Sequence, residues 1–383
     1  MARIGIDATA ISPAGKGVSR YQKNIVQALS QLASNHEYFV FLNQAFSIFK
    51  PWTENNRWHF IPVRIWKAIF WEQIDVPRWV NRLHLDIFHT TADRLPYIGG
   101  SRFLLTLFEV PDKRIRLARQ ARTGYTLYDW LSDFSISVFL PHSLKRASRV
   151  LVSSKNTELE LIGRYSVDPE KIRSVSLSHE AIFKPSPDSQ SRSALCEKLG
   201  IPSGYILHFS TQDPRENTVT VLKAFRQMKD KLKGNGDIKL LIVGSTGAEL
   251  KKLIDQNHRQ GDVICRGYVD EAELVEIYQG ALLYVDPSFY EGFALQVLEA
   301  MASGVPILTS NNTSASEIVG EAGILLDPED VEKWTEGMIR VLTHEDLRSQ
   351  MRQKGLARAE AFNWSKTARE TLCAYEEILN GKP

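Results

Sequence analysis

One stretch in the second half of the chain constrains the fold more than any other. Ala281–Val285 is a short apolar run of the kind that forms a buried strand. A polar loop follows, and residues 295–301 then carry apolar side chains at helical spacing. Gly304 and Pro306 predict the end of that helix, because glycine favours a left-handed cap and proline cannot continue a helix. Residues 305–309 resume a strand pattern, so the stretch predicts strand, loop, helix and strand, the unit of a parallel α/β sheet.

Two carboxylates lie in the loop and helix of this stretch. Glu291 falls in the polar loop, and Glu299 falls about one turn into the helix. A loop that opens a helix leaves backbone N–H groups and a positive dipole end, which suit a phosphate. An ionised carboxylate accepts hydrogen bonds from neighbouring hydroxyl groups, so the pair suits a sugar. The residues therefore predict a site for a phosphate-bearing sugar.

The same alternation of strands and helices runs through both halves of the chain. Because 383 residues exceed what one core normally holds, we expect two domains. The polar segment Pro185–Ser191, with two prolines, is the clearest linker. The sequence predicts two doubly wound α/β domains, with strands at the following positions: 3–8, 38–43, 86–90, 102–108, 149–153, 205–209, 239–244, 262–266 and 281–285.

Composition is that of an ordinary globular protein, but the charge is unevenly distributed. Residues 1–185 contain 25 Lys and Arg against 16 Asp and Glu, a net +9, while the remainder contains 22 against 29, a net −7. Five basic residues crowd the stretch 113–122. Either this is a solvated loop, or it meets an anionic acceptor or membrane surface. Both interpretations stay open.

The chain shows no feature of a secreted or membrane-spanning protein. Its three cysteines are scattered, with neither disulfide nor metal spacing, which fits a reducing compartment. The first residues lack the apolar region of a signal peptide, and no apolar run approaches the roughly 20 residues that span a bilayer. We expect a cytoplasmic location, with attachment to the cytoplasmic face of a membrane as an open alternative.

Residues 50–82 are rich in tryptophan. An aromatic platform for an acceptor is conceivable, but large aromatic residues mostly serve cores, so Trp71–Pro77 is interpreted as a packing segment between helices. His89, at the end of a predicted strand, is either a residue of the cleft or a structural residue, and the structural interpretation is favoured.

The blocks Tyr-Glu-Gly-Phe and Leu-Glu-Ala-Met-Ala-x-Gly-x-Pro, with seven residues between the two glutamates, resemble the motif of the retaining family 4 glycosyltransferases. The resemblance covers nearly the whole chain and implies the GT-B fold, two facing Rossmann-like domains with a cleft. It places an acceptor-side domain at 1–184, joined by a C-terminal helix at 366–383, and a domain that binds the nucleotide sugar at 185–365. It also implies that Glu291 lies against the donor sugar, while Glu299 holds the ribose.

Further site residues follow from the resemblance. It implies that the turn at Gly292 and the amides of Phe293, Ala294 and Leu295 face the donor sugar and its phosphates. Gly17 and Val18 resemble the family's N-terminal Gly-Val-x-Arg-Tyr motif near the diphosphate, with Ser19 where a glycine is usual. Arg215 and Asn217 match the segment that meets the leaving group, and Tyr268 and Val269 lie in the turn that lines the nucleobase pocket.

Several positions depart from the family pattern. Glu216 occupies the position of a lysine that neutralises the diphosphate, and Ser210 that of a glycine. The pair Phe108-Glu109 stands where the family often has His-Asp. Because a carboxylate facing a diphosphate would repel it, we expect Glu216 to turn away and pair with Arg215 or Lys223.

The resulting prediction is a retaining glycosyltransferase that moves a sugar from a nucleoside diphosphate donor to a hydroxyl group of a glycan, a lipid-linked or a small-molecule acceptor. Glu291 and Arg215 are the predicted catalytic residues. No metal or other cofactor is expected, since the sequence has no Asp-x-Asp pair or histidine cluster, and no nucleic acid partner is expected. The alternative is a catalytically silent relative that binds nucleotide sugar or a partner. A dinucleotide oxidoreductase is excluded, because no Gly-x-Gly-x-x-Gly follows a strand.

Overall fold

A computed structural model describes residues 1–381 except 13–14, 16, 47–54, 111–126, 187–192, 194–195, 198–199, 202–203, 212, 233–237, 258–260 and 313. The described residues form two compact units. The first holds those up to Leu177 and from Asn363 onward, and the second holds those of Ser178–Phe362. The chain passes between the units at 177/178 and at 362/363, slightly before the predicted boundaries at 184/185 and 365/366.

The strands of the first unit form a parallel sheet in the order β3-β2-β1-β4-β5-β6-β7. They are β1 (Arg3–Asp7), β2 (Glu37–Asn43), β3 (Trp58–Val63), β4 (Ile87–Thr90), β5 (Arg102–Leu107), β6 (Arg149–Val152) and β7 (Ile172–Ser174). The strands of the second unit form another parallel sheet, in the order β10-β9-β8-β11-β12-β13. They are β8 (Tyr205–Ser210), β9 (Lys239–Gly244), β10 (Val263–Arg266), β11 (Ala281–Asp286), β12 (Ile307–Ser310) and β13 (Ile324–Leu326).

Helices connect these strands. They are α1 (Val18–Ser30), α2 (Val76–Arg82), α3 (Leu127–Arg146), α4 (Lys155–Tyr165), α5 (Thr218–Leu232), α6 (Ala248–Asn257), α7 (Glu271–Gly280), α8 (Leu295–Ala302), α9 (Ser314–Val319), α10 (Val331–Thr343), α11 (Glu345–Ala359) and α12 (Trp364–Leu379). A short α-helical turn at Ala68–Phe70 and a π-helical turn at Trp71–Asp75 lead into α2. The predicted fold class, α/β with two doubly wound sheets, is confirmed.

The tryptophan-rich segment divides between a strand, the core and the surface. Trp58 lies in β3, which was not predicted, and its ring stacks on Tyr38 at 4.2 Å between centroids. Trp71 is buried in the core of the first unit, where its Nε1 donates to the Oδ2 atom of Asp7 at 3.2 Å. Trp66 is exposed. The predicted packing role is therefore confirmed for Trp71, whereas Trp66 is not part of the core.

The C-terminal helix α12 packs against α1 in the first unit. Its N-cap is Asn363, whose side chain accepts from the amide of Lys366. Tyr375 of this helix contacts the buried His89, with its hydroxyl group 2.7 Å from Nδ1 of the ring. Burial lowers the pKa of His89 to about 3. His89 is a neutral core residue, as predicted.

The core of the second unit lies between its sheet and the covering helices. Phe225 and Met228 of α5 pack with Trp334 and Met338 of α10 against the buried strands. This places the carboxyl ends of the strands, and the loops that follow them, at one edge of a rigid sheet.

No helix within the described ranges is both long enough and apolar enough to cross a membrane.

Candidate active site

The candidate site lies at the carboxyl edge of the second unit's sheet. The chain builds the sheet outward from β8 through β9 to β10, and then places β11 on the other side of β8. The β8–β11 pair is therefore the topological switch point, where an open α/β sheet leaves a crevice for ligands. Loop 211–217 follows β8 and loop 287–294 follows β11. The two loops are joined, since the amide of Phe289 donates to the carbonyl of Arg215 at 2.7 Å.

The first loop holds Arg215 in a fixed orientation. Asp213 caps the short 3-10 turn Pro214–Glu216 by accepting from the amide of Arg215 at 3.0 Å. Its other carboxylate oxygen accepts from Nε and Nη2 of the same arginine, at 3.1 and 2.9 Å. This ion pair limits the rotation of the guanidinium group in the loop at the switch point.

Glu216 turns back onto its own loop. Its carboxylate accepts from the amide of Thr211 at 2.6 Å and from the Thr211 hydroxyl group. Glu216 does turn away as predicted, but the predicted partners, Arg215 or Lys223, are wrong. Burial raises the pKa of Glu216, the two Thr211 bonds lower it, and the like charges of Asp213 and Asp286 raise it further.

Asn217 holds the two loops to a third segment. Its side-chain amide donates to the carbonyls of Pro287 and Pro328, at 3.2 and 2.7 Å. Its φ of 51° is left-handed, a conformation that asparagine tolerates better than most residues. The side chain of Asn217 is buried, so it holds these loops in position from the protein interior.

The second loop presents backbone amides at the start of α8. The amide of Leu295 donates to the carbonyl of Phe293 at 2.6 Å, and is therefore already used. In the described part of the chain, the amides of Phe293 and Ala294 have no hydrogen-bond acceptor. Helix α9 holds this loop in place, because the hydroxyl group of Ser314 donates to the carbonyl of Glu291 at 2.8 Å. Gly292 completes the turn between Glu291 and these amides.

Glu299 is oriented by a tyrosine that the sequence did not single out. It is 2% exposed, and its Oε2 accepts from the hydroxyl group of Tyr278 at 2.9 Å. Tyr278 lies near the end of α7, 21 residues from Glu299 in sequence, so no local pattern connects them. The sequence signal that could have found it is a tyrosine in the predicted helix that leads into β11.

Both predicted glutamates act electrostatically on one buried ring. Burial raises the pKa of Tyr284 on β11, and the charges of Asp286, Glu291, Glu299 and Glu216 raise it further. The fold thus gathers these four carboxyl groups near one strand end. Burial also raises the pKa of Asp286, whose carboxylate accepts from the amide of Ser288 at 3.2 Å. Asp286 was not among the predicted site residues.

The predicted nucleobase residues stand farther along the same edge. Tyr268 and Val269 follow β10, which lies two strands from β8, hence about 10 Å away. Tyr268 is 64% exposed.

Gly17 and Val18 belong to the first unit, where they follow β1 at that sheet's own switch point, between β1 and β4. Gly17 has φ 45° and caps α1, which begins at Val18. Ser19 is buried, and its hydroxyl oxygen accepts from the amide of Ser12 at 3.0 Å. Ser19, which departs from the family pattern, therefore joins the start of α1 to Ser12 in the segment before it.

Phe108, at the position where a histidine is frequent in the family, serves packing. Its ring meets Tyr21 edge-on at 4.9 Å between centroids, and its carbonyl accepts from the Ser153 hydroxyl group at 3.1 Å. No proton transfer can be assigned to this side chain.

The fold, with its two parallel α/β sheets, is shared with solved structures. A sucrose-phosphate synthase from Thermosynechococcus elongatus superimposes with TM-score 0.75 at 18% identity, covering 100% of both chains. The Anabaena protein HepE in complex with UDP and glucose gives TM-score 0.72 at 15% identity, covering 98% of this chain and 100% of that one. These structures share the GT-B fold.

Sequence comparison adds a family match over part of the chain. Residues 196–358 match the family described as Glycosyl transferases group 1. The O-antigen chain mannosyltransferase B of Escherichia coli is 31% identical over 240 residues, 62% of this chain and 62% of that protein. The serotype-specific mannosyltransferase WbdA of Escherichia coli is 25% identical over 258 residues, 65% of this chain and 32% of that protein. The matches thus span less than two thirds of the length of these relatives.

Proposed function

We propose that the protein is a retaining glycosyltransferase that uses a nucleoside diphosphate sugar. The observation that carries the proposal is the joining of loops 211–217 and 287–294 at the switch point, by the bond between the amide of Phe289 and the carbonyl of Arg215. This bond joins the turn that holds the oriented guanidinium group of Arg215 to the loop that leads to the amides of Phe293 and Ala294. Cationic and N–H donors in fixed positions are what a departing diphosphate requires.

The reaction breaks the bond between the anomeric carbon and the diphosphate oxygen, and forms a bond from that carbon to an acceptor hydroxyl oxygen. The proton of the acceptor hydroxyl group passes to the departing diphosphate. Arg215 and the amides stabilise the charge on the leaving group, and no metal is included in the proposal. Glu291 orients the hydroxyl groups of the transferred sugar, while Glu299, held by Tyr278, binds the ribose. Tyr268 and Val269 contact the base.

The donor is proposed to carry a hexose, with mannose as the first candidate. Support comes from the names of the mannosyltransferase relatives and from the UDP and glucose bound in HepE. The acceptor is a hydroxyl group of a glycan, a lipid-linked saccharide or a small molecule. The basic stretch 113–122, which lies outside the described residues, is proposed to contact an anionic acceptor or a membrane face on the cytoplasmic side.

A silent nucleotide-sugar-binding relative is the second candidate. It is favoured by Glu216 at the position of a family lysine, and by the pairing of Arg215 with Asp213. A catalytic role requires Arg215 to meet the phosphates while it still contacts Asp213, which the number of guanidinium donors allows.

The test is release of nucleoside diphosphate from a panel of nucleotide sugars, with binding measured in parallel by calorimetry. Turnover of one donor, with a loss of about 10²-fold or more in kcat for Arg215→Ala, supports the transferase. Arg226→Ala is a matched control, because Arg226 lies on α5 with its guanidinium beside Asp230. Donor binding without turnover, unchanged in Arg215→Ala, supports the silent relative instead.

A further inference from the structure

Large apolar side chains are exposed on the helical segment that precedes α2. Trp66 stands just before this segment and is 77% exposed, and Phe70 and Ile74 follow at intervals of four residues, both exposed. The same segment also has a buried side, since Trp71 and Val76 lie in the core of the first unit. A helix at a protein surface normally has one apolar face, toward the core, and one polar face, toward water. This segment has apolar side chains on both faces.

A loop places two further apolar residues beside this segment. The side chain of Gln73 donates to the carbonyl of Leu95 at 3.2 Å and accepts from the amide of Tyr97 at 3.2 Å. The bonds hold the loop against the helical segment. Tyr97 and Ile98 are both exposed. The five exposed residues are here called the apolar surface: Trp66, Phe70, Ile74, Tyr97 and Ile98.

Helix α3 supports this loop from its other side. The ring of Tyr97 stacks on His142 at 3.9 Å and meets Phe139 edge-on at 5.6 Å. Val138, on the same helix, is also exposed. Tyr97 is thus held between α3 and the helical segment that carries Phe70 and Ile74. Exposed apolar residues gathered on a folded base mark interaction sites.

Basic side chains border the apolar surface. Arg64 lies over the Trp66 ring at 5.5 Å. Lys67 is exposed between the apolar positions.

Acidic side chains in the same segment are neutralised. Glu72 is buried and pairs with Arg94 at 2.7 Å, and Asp75 lies 3.5 Å from Arg78. Between positions 64 and 82 these are the only two acidic residues. The border of the apolar surface therefore carries a net positive charge.

We propose that the apolar surface docks the protein onto an anionic lipid bilayer. Tryptophan and phenylalanine beside lysine and arginine are the composition of segments that lie in the membrane interface, with rings at the headgroup level and cations on the lipid phosphates. Charge complementarity selects the bilayer over a second copy of the chain, because two copies would bring like charges together. The docking surface deepens the proposed function, because it names the part of the protein that meets the membrane. It rests on the proposed function only in taking the acceptor to lie at a membrane.

The test is co-sedimentation of the full chain with phosphatidylcholine vesicles, with and without phosphatidylglycerol. The intact protein should bind the anionic vesicles, and binding should weaken as salt rises, since the cationic contribution is screened. Replacing both Trp66 and Phe70 by Ser should weaken binding by about tenfold or more. Leu159→Ser is the matched control, because Leu159 is an exposed apolar residue on α4 of the same unit, and it should bind as the intact protein does.

Equal vesicle binding by the double variant and the intact protein would overturn the proposal, as would no binding of the intact protein to anionic vesicles. Sedimentation velocity without lipid tests the rival occupant: a dimer that the Ser substitutions dissociate assigns the surface to self-association. Donor turnover in solution is a separate readout that the substitutions should leave unchanged. Vesicle binding without donor turnover would refute the proposed function while the docking surface stands.

Discussion

Replacement of Glu216 tests how the candidate site tolerates a carboxylate where the family has a lysine. The structure makes Glu216 a positioning residue, because its carboxylate closes loop 211–217 onto Thr211. Arg215 lies in the same turn, between Asp213 and Glu216. Opening the turn would therefore displace the guanidinium group from the diphosphate.

The magnitude follows from two hydrogen bonds to an ionised acceptor. Such bonds contribute about 1.5–3 kcal/mol each, and partial exposure of Glu216 favours the lower end, hence about 3 kcal/mol for both. If the transition state needs the closed turn, Glu216→Ala should lower kcat by about 10²-fold, since 1.36 kcal/mol corresponds to tenfold. Glu216→Gln keeps one acceptor oxygen and should lose about tenfold.

The assay is steady-state release of nucleoside diphosphate, with Thr211→Val as the matched variant. Valine removes the hydroxyl donor and keeps the amide donor, so it should resemble Glu216→Gln in size. The double variant Thr211→Val with Glu216→Ala should be no worse than Glu216→Ala alone, because both act through one contact.

Full kcat in Glu216→Ala would refute the positioning role. Glu216→Lys distinguishes the silent alternative: an active enzyme should lose kcat, because lysine cannot accept from Thr211. A natural protein that binds no donor, and that gains binding on Glu216→Lys, would instead be a silent relative of the kind that binds a partner and not a nucleotide sugar.

Three further predictions concern the site and its support. Glu299→Ala should raise KM for the donor more than it lowers kcat, with Tyr278→Phe a weaker version, whereas Glu291→Ala should mainly lower kcat; equal effects on kcat alone would contradict these assignments. Asn217→Ala should lower the free energy of unfolding by about 2–4 kcal/mol, from lost buried hydrogen bonds and left-handed strain, and Asn217→Gly should lose less, as urea titration can show. Burial lowers the pKa of His208 from 6.5 to about 4. The unfolded chain therefore takes up this proton first, and the free energy of unfolding should fall as the pH drops from about 6.5 toward 4, by about 2 kcal/mol at pH 5. His208→Asn should flatten that part of the stability curve, and an unchanged pH profile in this variant would contradict the assignment.

Much of the fold could be predicted because long apolar strands alternate with amphipathic helices. The strands that were missed lack that signal. β3 begins at Trp58 and includes Pro62, on the edge of the sheet, where a missing N–H is tolerated. β7 and β13 have three residues each, too few for any periodicity to show.

The site could be predicted only where its residues are close in sequence. Glu291 and Glu299 share one loop and helix, so their proximity follows from local pattern. Tyr278 reaches Glu299 through tertiary packing, which no spacing reveals. The partner of Glu216 was predicted by charge as a nearby cation, yet the turn brings the Thr211 amide and hydroxyl groups closer.

Hydrogen exchange measured by mass spectrometry tests the central claim most directly, because it reports where a nucleotide sugar binds without assuming an acceptor. The full chain is compared with and without a saturating donor from the panel. The account predicts slower exchange in peptides that cover loops 211–217 and 287–294, above all at the amides of Phe293 and Ala294, and no such protection in Arg215→Ala. Protection confined to other segments, or protection of these loops that survives Arg215→Ala unchanged, would contradict it.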